Sequence, residues 1–256
     1  MITECKSLKN FESGLGSQAN GRKRVVSMMW RNRKEVSMQS EQLKSQYERK
    51  KLDIGRRMKE FRDFGQNASK DDLFAEVAYC ICTPQTPFEG CQRAVKQLQE
   101  NKLLFSGDED VIAFFLHRNR VRFHNVKGKR IAQARAKLYE NGCPNPILKL
   151  VRELLSMPQR QARDHLYEIW IPGLGMKECS HFLRNIGHGE NLAILDRHIL
   201  WKLESHGVIN QQPKTLSAKN YQIIEQEMSA WSNKIGIPLG ELDLLLWSEE
   251  TGEIFK

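Results

Sequence analysis

Apolar residues recur along much of this chain at the spacing of amphipathic helices. In residues 40–64 they return three, four or seven positions apart among charged side chains, which predicts a long amphipathic helix. The members of this apolar stripe are Leu43, Tyr47, Ile54, Met58, Phe61 and Phe64. The next segment, 73–82, is almost entirely apolar, so it predicts a buried central helix, capped by Asp71 and Asp72.

Proline, glycine and asparagine divide the remaining sequence into further segments with helical periodicity. The predicted helices cover residues 88–101, 108–116, 129–139, 146–156, 158–170, 177–186, 196–206, 217–231 and 238–247. No segment shows a convincing strand pattern, and no internal repeat is visible. The predicted fold class is therefore all-α.

Composition narrows the class of protein. The 256 residues include 40 Lys or Arg against 31 Asp or Glu, a formal net charge of +9, and a basic surface favours a polyanionic partner such as nucleic acid. The sequence contains neither an apolar run long enough to span a membrane nor a secretory leader, so we expect no membrane partner. The six cysteines form no C-x-x-C pair, which fits a reducing cytoplasm.

The first 39 residues differ from the rest in composition. They carry eight Lys or Arg and three Glu, and they are rich in Ser, Asn, Gly and Gln. Because they show little helical periodicity, we predict a disordered basic tail. Two interpretations stay open: an arm that binds DNA, or an inert segment from an upstream translation start, since Met28, Met29 and Met38 are all possible first residues.

A glycine-rich turn precedes the helix predicted to begin at Lys177. Gly173 and Gly175 can adopt backbone angles closed to other residues, so we predict a tight hairpin there. Backbone N–H groups at such a helix N-terminus can bind a phosphate oxygen without reading base sequence. The alternative is an ordinary connection between two helices, with the glycines serving only the turn.

Lys177 directly follows this turn, and Asp196 lies nineteen residues later at the predicted start of the next helix. A neutral lysine amine can attack C1′ of a deoxyribose and form a Schiff base. The aspartate can accept the amine's proton, or stabilise the positive charge that develops on the sugar. The simpler alternatives are a solvated lysine and an aspartate that only caps its helix, a contribution of about 1 kcal/mol.

Residues 173–185 and 193–200 together resemble the helix-hairpin-helix DNA glycosylase superfamily, and more narrowly the archaeal-type second class of 8-oxoguanine DNA glycosylase/AP lyase. The resemblance extends over about residues 40–256. Further matching motifs lie at 74–76, 83–85, 121–125 and 247–256. The departures are Cys179, where relatives are expected to have Ala, and the N-terminal tail.

The resemblance implies a bifunctional DNA repair enzyme. Lys177 would be the nucleophile and Asp196 the essential carboxylate in removing 8-oxoguanine, with β-elimination at the abasic site afterwards. The implied partner is double-stranded DNA that contains 8-oxoguanine or abasic sites, bound by a monomer in the cytoplasm, at the nucleoid if the source is a prokaryote. Because the last cysteine is Cys179 and the histidines lack metal-binding spacing, we expect no iron–sulfur cluster, metal or other cofactor.

The resemblance also suggests residues that recognise the flipped base. Phe123 and Trp247 would stack on its two faces, and Lys256, the final residue, would help to distinguish 8-oxoguanine from guanine. The alternative is that both aromatic residues belong to the core.

A further set of residues is predicted to contact DNA. Gly173, Gly175, Arg184 and Lys129 would meet the phosphate backbone, and Gln85 would fill the gap left by the flipped base. For Arg184 and Lys129 the alternative is a solvated helix face.

The expected architecture has two helical lobes on either side of a cleft that Lys177 and Asp196 line. Residues 40–125 and 207–256 would form one discontinuous lobe. Residues 126–206 would form the other, with the helix-hairpin-helix at about 164–187. The competing hypotheses are a non-enzymatic helix-hairpin-helix DNA-binding module and a glycosylase for a different damaged base.

Overall fold

The computed structural model describes the backbone of residues 12–139, 145–252 and 254, with side chains from residue 40 onward except at 250 and 251. Within this part of the chain every regular element is helical, so the predicted all-α class is confirmed. The helices are α1 Glu12–Asn67, α2 Lys70–Cys82, α3 Phe88–Glu100, α4 Leu103–Ser106, α5 Glu109–Arg118, α6 His124–Leu138, α7 Pro146–Leu155, α8 Gln159–Glu168, α9 Met176–Asn185, α10 Arg197–Ser205, α11 Ala218–Ile235 and α12 Leu239–Thr251.

Most predicted ranges differ from these bounds by only a few residues. The short α4 was not predicted, and α6 begins at His124 rather than at 129. Helix α1 begins at Glu12 rather than at 40, but the side chains of residues 1–39 lie outside the described part. The interpretation of that segment as a disordered basic tail therefore stays a prediction.

The chain divides into two compact units, Met1–Gln46 and Tyr47–Lys256, and every predicted site residue lies in the second. The finer division of that unit into two lobes stays a prediction. Over the described residues, no helix combines the length and apolar character needed to cross a membrane.

Helix α2 is the centre of the second unit. All its residues from Leu73 to Cys82 are buried, which confirms the predicted central helix, and it packs against α3, α6, α7 and α9. Its cap is Ser69 rather than the predicted aspartates: the Ser69 side chain accepts from the backbone of Asp72, whose carboxylate accepts from the backbone of Ser69. The C-terminal end of α2 meets the start of α9, where Lys177 donates to Thr83.

Candidate active site

The predicted hairpin is present between α8 and α9. Leu174 donates its backbone N–H to the carbonyl oxygen of Ile171 at 3.0 Å. Gly173 has φ +92°, and a Cβ there would lie 3.1 Å from the side chain of Ile81, so both backbone conformation and space favour glycine. Gly175 precedes α9 in an extended conformation, and its N–H donates to the Glu178 carboxylate at 3.1 Å.

Lys177 is in the first turn of α9, and its side chain is 19% exposed. Its Nζ donates to the Thr83 hydroxyl at 3.1 Å and lies 3.7 Å from the Glu178 carboxylate. The Thr83 hydroxyl gives its own proton to the carbonyl oxygen of Cys80 at 2.9 Å, so it can only accept from the lysine. The amine is therefore held at the end of α2 while remaining partly open to solvent.

Lys127 anchors the turn that carries Thr83. Its Nζ donates to the carbonyl oxygens of Cys82 and Pro84, both at 2.7 Å, and to the Thr86 hydroxyl at 3.0 Å. The side chain is 2% exposed. Burial lowers the pKa of Lys127, and the nearby Lys177 amine also lowers it. Because these contacts bury the Lys127 amine inside the protein, it is not available to contact DNA.

Asp196 is the N-cap of α10, as predicted. Its Oδ1 accepts the backbone N–H of Ile199 at 2.9 Å, and the residue is partly buried. Within the described part of the chain, no side chain donates a hydrogen bond to the Asp196 carboxylate. The cap thus fixes one carboxylate oxygen and leaves the other without a donor among the described residues.

The segment 193–195, which leads into Asp196, is held by three buried side chains. Its backbone N–H groups donate in turn to the Glu225 carboxylate at 3.1 Å, the Asp243 carboxylate at 3.0 Å and the Tyr221 hydroxyl at 3.3 Å. All three side chains are at most 1% exposed. Because each peptide N–H has a buried partner, this segment has little freedom to shift.

The prediction that Arg184 contacts phosphate is corrected by its position. Its side chain is 2% exposed and forms an ion pair with Asp243 at 2.9 Å, both groups being buried. The guanidinium also donates to Asn185 at 3.3 Å and lies 5.2 Å from the Phe61 ring centre. A guanidinium enclosed in this way does not reach a DNA phosphate.

The pKa of Asp243 is influenced by both predicted catalytic residues. Burial raises the pKa of Asp243 to about 6, although the ion pair with Arg184 lowers it. The Asp196 carboxylate raises this pKa as well, and the Lys177 amine lowers it. Lys177 and Asp196 therefore both lie within electrostatic range of one buried carboxyl group.

The two predicted base-stacking residues differ in exposure. Phe123 is 53% exposed with φ +58°, directly before α6, and the Arg122 guanidinium lies 5.5 Å from its ring centre. Trp247 is partly buried on α12 and stacks on His198, with ring centres 5.3 Å apart. His198 follows Asp196 by two residues, so Trp247 lies beside the start of α10. The alternative interpretation, that Phe123 belongs to the core, is therefore wrong.

The other predicted contact residues are at the surface or beyond the described part. Gln85 is exposed in the turn after α2 with φ +56°, and Lys129 is exposed on α6. Lys256 lies outside the described residues. The chain just before it is held near α1, where the Arg57 guanidinium donates to the carbonyl oxygen of Ile254 at 3.4 Å.

Several residues of the site had no role assigned from the sequence. They are Thr83, Tyr221, Glu225 and Asp243. A local signal existed for Asp243, which is a single acidic residue inside the apolar stretch 242–246, and a lone carboxylate in such a stretch requires a buried partner. The others look like ordinary polar residues until the fold brings them together.

The sequence profile of the family described as 8-oxoguanine DNA glycosylase matches residues 54–237 of this chain. Two similar proteins bear the name 8-oxoguanine DNA glycosylase/AP lyase. That of Fusobacterium nucleatum is 38% identical over 202 residues, covering 78% of this chain and 89% of that protein. That of Korarchaeum cryptofilum is 35% identical over 205 residues, covering 79% of this chain and 90% of that protein.

Solved structures with the same fold include the 8-oxoguanine DNA glycosylase of Thermotoga maritima. It superimposes with a TM-score of 0.75 at 29% identity, covering 86% of this chain and 100% of that one. The 8-oxoguanine glycosylase/lyase of Methanocaldococcus jannaschii, solved in complex with a 15mer DNA containing 8-oxoguanine, gives a TM-score of 0.73 at 30% identity. This match covers 86% of this chain and 100% of that one.

Proposed function

Because this chain belongs to the 8-oxoguanine DNA glycosylase family, we propose that it excises 8-oxoguanine from double-stranded DNA and then cleaves the strand at the abasic site. The observation that carries this proposal is the arrangement of Lys177 and Asp196. Each lies at the start of a helix, the amine is held by Thr83, and the buried Asp243 joins the helix of Lys177 to the segment before Asp196.

The excision step uses the Lys177 amine as nucleophile. Its Nζ forms a bond to C1′ of the lesion's deoxyribose while the bond from C1′ to the base breaks. The departing base takes the electron pair of that bond and a proton. Asp196 accepts the proton that the amine loses, or stabilises the positive charge that develops on the sugar.

The strand cleavage proceeds from the same covalent intermediate. Opening of the sugar ring, with a proton added to O4′, converts the new C1′–N bond into a protonated Schiff base. The Schiff base acidifies C2′, so loss of a C2′ proton expels the 3′ phosphate by β-elimination. Water then hydrolyses the C=N bond and frees Lys177.

Phe123 and Trp247 are the proposed faces of the pocket for the flipped base. Exposure of the Phe123 ring and the position of Trp247 beside α10 support this assignment, since aromatic stacking holds a base without requiring many polar partners. Lys256 is proposed to help to distinguish 8-oxoguanine from guanine.

The proposed DNA contacts are the backbone at Gly173 and Gly175, and Lys129 on the exposed face of α6. Gln85 is proposed to fill the gap in the duplex, which its exposed position at a tight turn allows. The protein is further proposed to act as a monomer in the cytoplasm, at the nucleoid if its source is a prokaryote, with Lys177 and Asp196 lining a cleft between two lobes.

Borohydride trapping on a duplex with one 8-oxoguanine tests the proposed function. A covalent adduct with the wild-type protein and none with Lys177→Gln would support the substrate and the nucleophile together. An adduct only on a pre-formed abasic site would support the lyase activity and reject 8-oxoguanine as the substrate. Trapping on neither duplex would favour a DNA-binding module without catalysis, and parallel duplexes with uracil, thymine glycol and alkylated bases would reveal a different lesion.

A further inference from the structure

We infer that two buried polar links between α9 and the segment 193–195 position Asp196 relative to Lys177. One link passes through Arg184 and Asp243, and the other passes through Ser180 and Tyr221. The inference rests on the proposed function, because it assigns these residues to the alignment of the same amine and carboxylate.

The first link depends on the two oxygens of one carboxylate. Asp243 Oδ2 accepts from the Arg184 guanidinium at 2.9 Å, and Asp243 Oδ1 accepts from the backbone N–H of Ile194 at 3.0 Å. Arg184 is seven residues after Lys177 on α9, about 10 Å along the helix axis. Ile194 is two residues before Asp196. A single side chain of α12 therefore joins the helix of the nucleophile to the backbone that leads into the carboxylate.

The second link depends on the Tyr221 hydroxyl. Its oxygen lies 2.6 Å from the carbonyl oxygen of Ala193 and 3.1 Å from the Ser180 hydroxyl. One phenol has one proton, and the shorter contact assigns it to Ala193, so Ser180 donates to Tyr221. Leu195 also donates its backbone N–H to the same oxygen. Because Ser180 belongs to α9, this second connection is independent of Arg184.

Stability alone is a poor reason for the Arg184–Asp243 pair. Both side chains are at most 2% exposed, and removing two charges from water costs about as much as their attraction returns. Well-packed apolar residues of similar size would serve the core at least as well. Fixed geometry is what the charged pair adds, since its hydrogen bonds specify the distance and orientation of α9 and the segment 193–195.

The reaction is sensitive to that geometry. When a nucleophile or catalytic group is displaced by about 1 Å, the rate can fall on the order of 10²-fold. Weakening the links is therefore expected to slow the chemical step while leaving DNA affinity almost unchanged. Arg184, Asp243, Ser180 and Tyr221 act through Asp196 and Lys177, so they are positioning residues.

The double variant Arg184→Met/Asp243→Asn tests the first link. The side-chain oxygen of the introduced asparagine can still accept from Ile194, and the introduced methionine fills the guanidinium's space without leaving an unpaired charge. We expect the single-turnover excision rate to fall between about tenfold and hundredfold. The full reaction amplitude and the affinity for a duplex with a non-cleavable abasic analogue should be retained within about twofold, since geometry rather than binding is altered.

Tyr139→Phe is the matched control, because it removes a polar contact elsewhere in the second unit. The Tyr139 hydroxyl donates to Asp71 at 2.7 Å, and neither residue touches the two links. This variant should lower Tm without changing the excision rate. If the double variant shows only a lower Tm, or only a smaller reaction amplitude, at the wild-type excision rate, the pair has a purely structural role and the inference is overturned.

Ser180→Ala provides a milder test that does not depend on the double variant folding. It removes only the hydroxyl that α9 donates to Tyr221, and we expect a rate decrease of about two- to fivefold at unchanged affinity. A wild-type rate in Ser180→Ala would overturn the second link. If the wild-type protein itself forms no borohydride adduct, both the proposed function and this inference fail. If the wild-type protein is active and the variants excise at the wild-type rate, only the positioning role is rejected.

Discussion

Lys177 and Asp196 lie partly buried at the starts of helices, whereas Gln85 and Phe123 are exposed on turns with φ +56° and +58°. Left-handed backbone is uncommon for residues other than glycine, and it persists where surrounding contacts maintain it. The proposed nucleophilic attack requires fixed distances, which agrees with partly buried groups beside a polar network. The proposed entry into a DNA duplex requires side chains that project from the surface.

The exposed region is nevertheless anchored internally, by Lys127 and by the Thr86 hydroxyl. The Thr86 hydroxyl accepts from Lys127 at 3.0 Å and from the backbone N–H of Arg122 at 3.1 Å. It thereby connects the turn that carries Gln85 to the turn that carries Phe123. The two regions thus differ in how they are held: three buried side chains bind the Asp196 segment, while the two turns depend on Lys127 and the Thr86 hydroxyl.

Replacing Lys177, the proposed nucleophile, is expected to have the largest effect on the enclosed region. Lys177→Gln is expected to lower single-turnover excision by at least about 10³-fold, because an amide cannot form the Schiff base. DNA affinity should remain close to that of wild type in a gel-shift assay. Lys96→Gln, the same change at an exposed lysine of α3, is the control, and a comparable loss in that variant would contradict a specific role for Lys177.

Asp196→Asn separates capping from catalysis. Asparagine caps a helix about as well as aspartate, so the free energy of unfolding should change by less than about 0.5 kcal/mol. Excision should fall by about 10²-fold or more, since the amide neither accepts the amine's proton nor stabilises positive charge. Asp108→Asn, at the N-cap of α5, should leave both quantities unchanged. Wild-type excision in Asp196→Asn would assign the residue to capping alone.

Lys127→Met tests whether the exposed region depends on its internal anchor. Losing the amine leaves the buried carbonyl oxygen of Cys82 and the partly buried one of Pro84 without their donor, a cost of about 1–3 kcal/mol in unfolding free energy. We expect excision to fall by about tenfold, because Thr83 and Gln85 share that turn. Denaturant unfolding and single-turnover kinetics measure the two effects.

Arg135→Met is the control for this effect. Arg135 lies on the same helix as Lys127 and donates to the carbonyl oxygen of Gly107 at 2.7 Å. The Arg135→Met variant should be less stable than wild type without a matching decrease in the excision rate. Equal kinetic losses in the two variants would mean that excision simply follows the stability of α6.

Phe123→Ala should have a smaller effect, on binding of the lesion rather than on folding. The ring is 53% exposed, so its removal should leave Tm nearly unchanged. Loss of stacking should weaken binding of the lesion duplex by about 1–2 kcal/mol in a fluorescence titration. Phe114→Ala removes an equally exposed ring from α5, at 55% exposure. If the two variants bind alike, Phe123 has no specific place in the base pocket.

The smallest expected effect comes from extending the chain beyond Lys256. A tag after Lys256 should reduce the preference for 8-oxoguanine over guanine several-fold, on the order of 1 kcal/mol, because the added residues would displace the proposed contact of Lys256 with the base. The same tag at the N-terminus is the control. An unchanged preference with the C-terminal tag would remove Lys256 from base recognition.

The helices and the hairpin were predictable because their signals are local. Apolar spacing along 40–64 and the apolar run 73–82 require only neighbours in sequence, as do Gly173 at a tight turn and an aspartate at a helix start. The family resemblance, now confirmed by the comparisons, added the roles of Lys177 and Asp196. The sequence could propose Phe123 as a stacking residue but could not show that its ring is exposed, since exposure depends on the whole fold.

Taken by itself, the sequence determined the all-α class and the family, and it proposed which amine and carboxylate react. Tertiary structure alone decided what surrounds them. Thr83 meets Lys177 from 94 residues away, and Asp243 meets Arg184 from 59. The error over Arg184 has the same origin: an arginine two turns after a helix-opening lysine is exposed or buried according to which helix packs over it. Local periodicity specifies helices, but only their packing chooses the partners of buried polar groups.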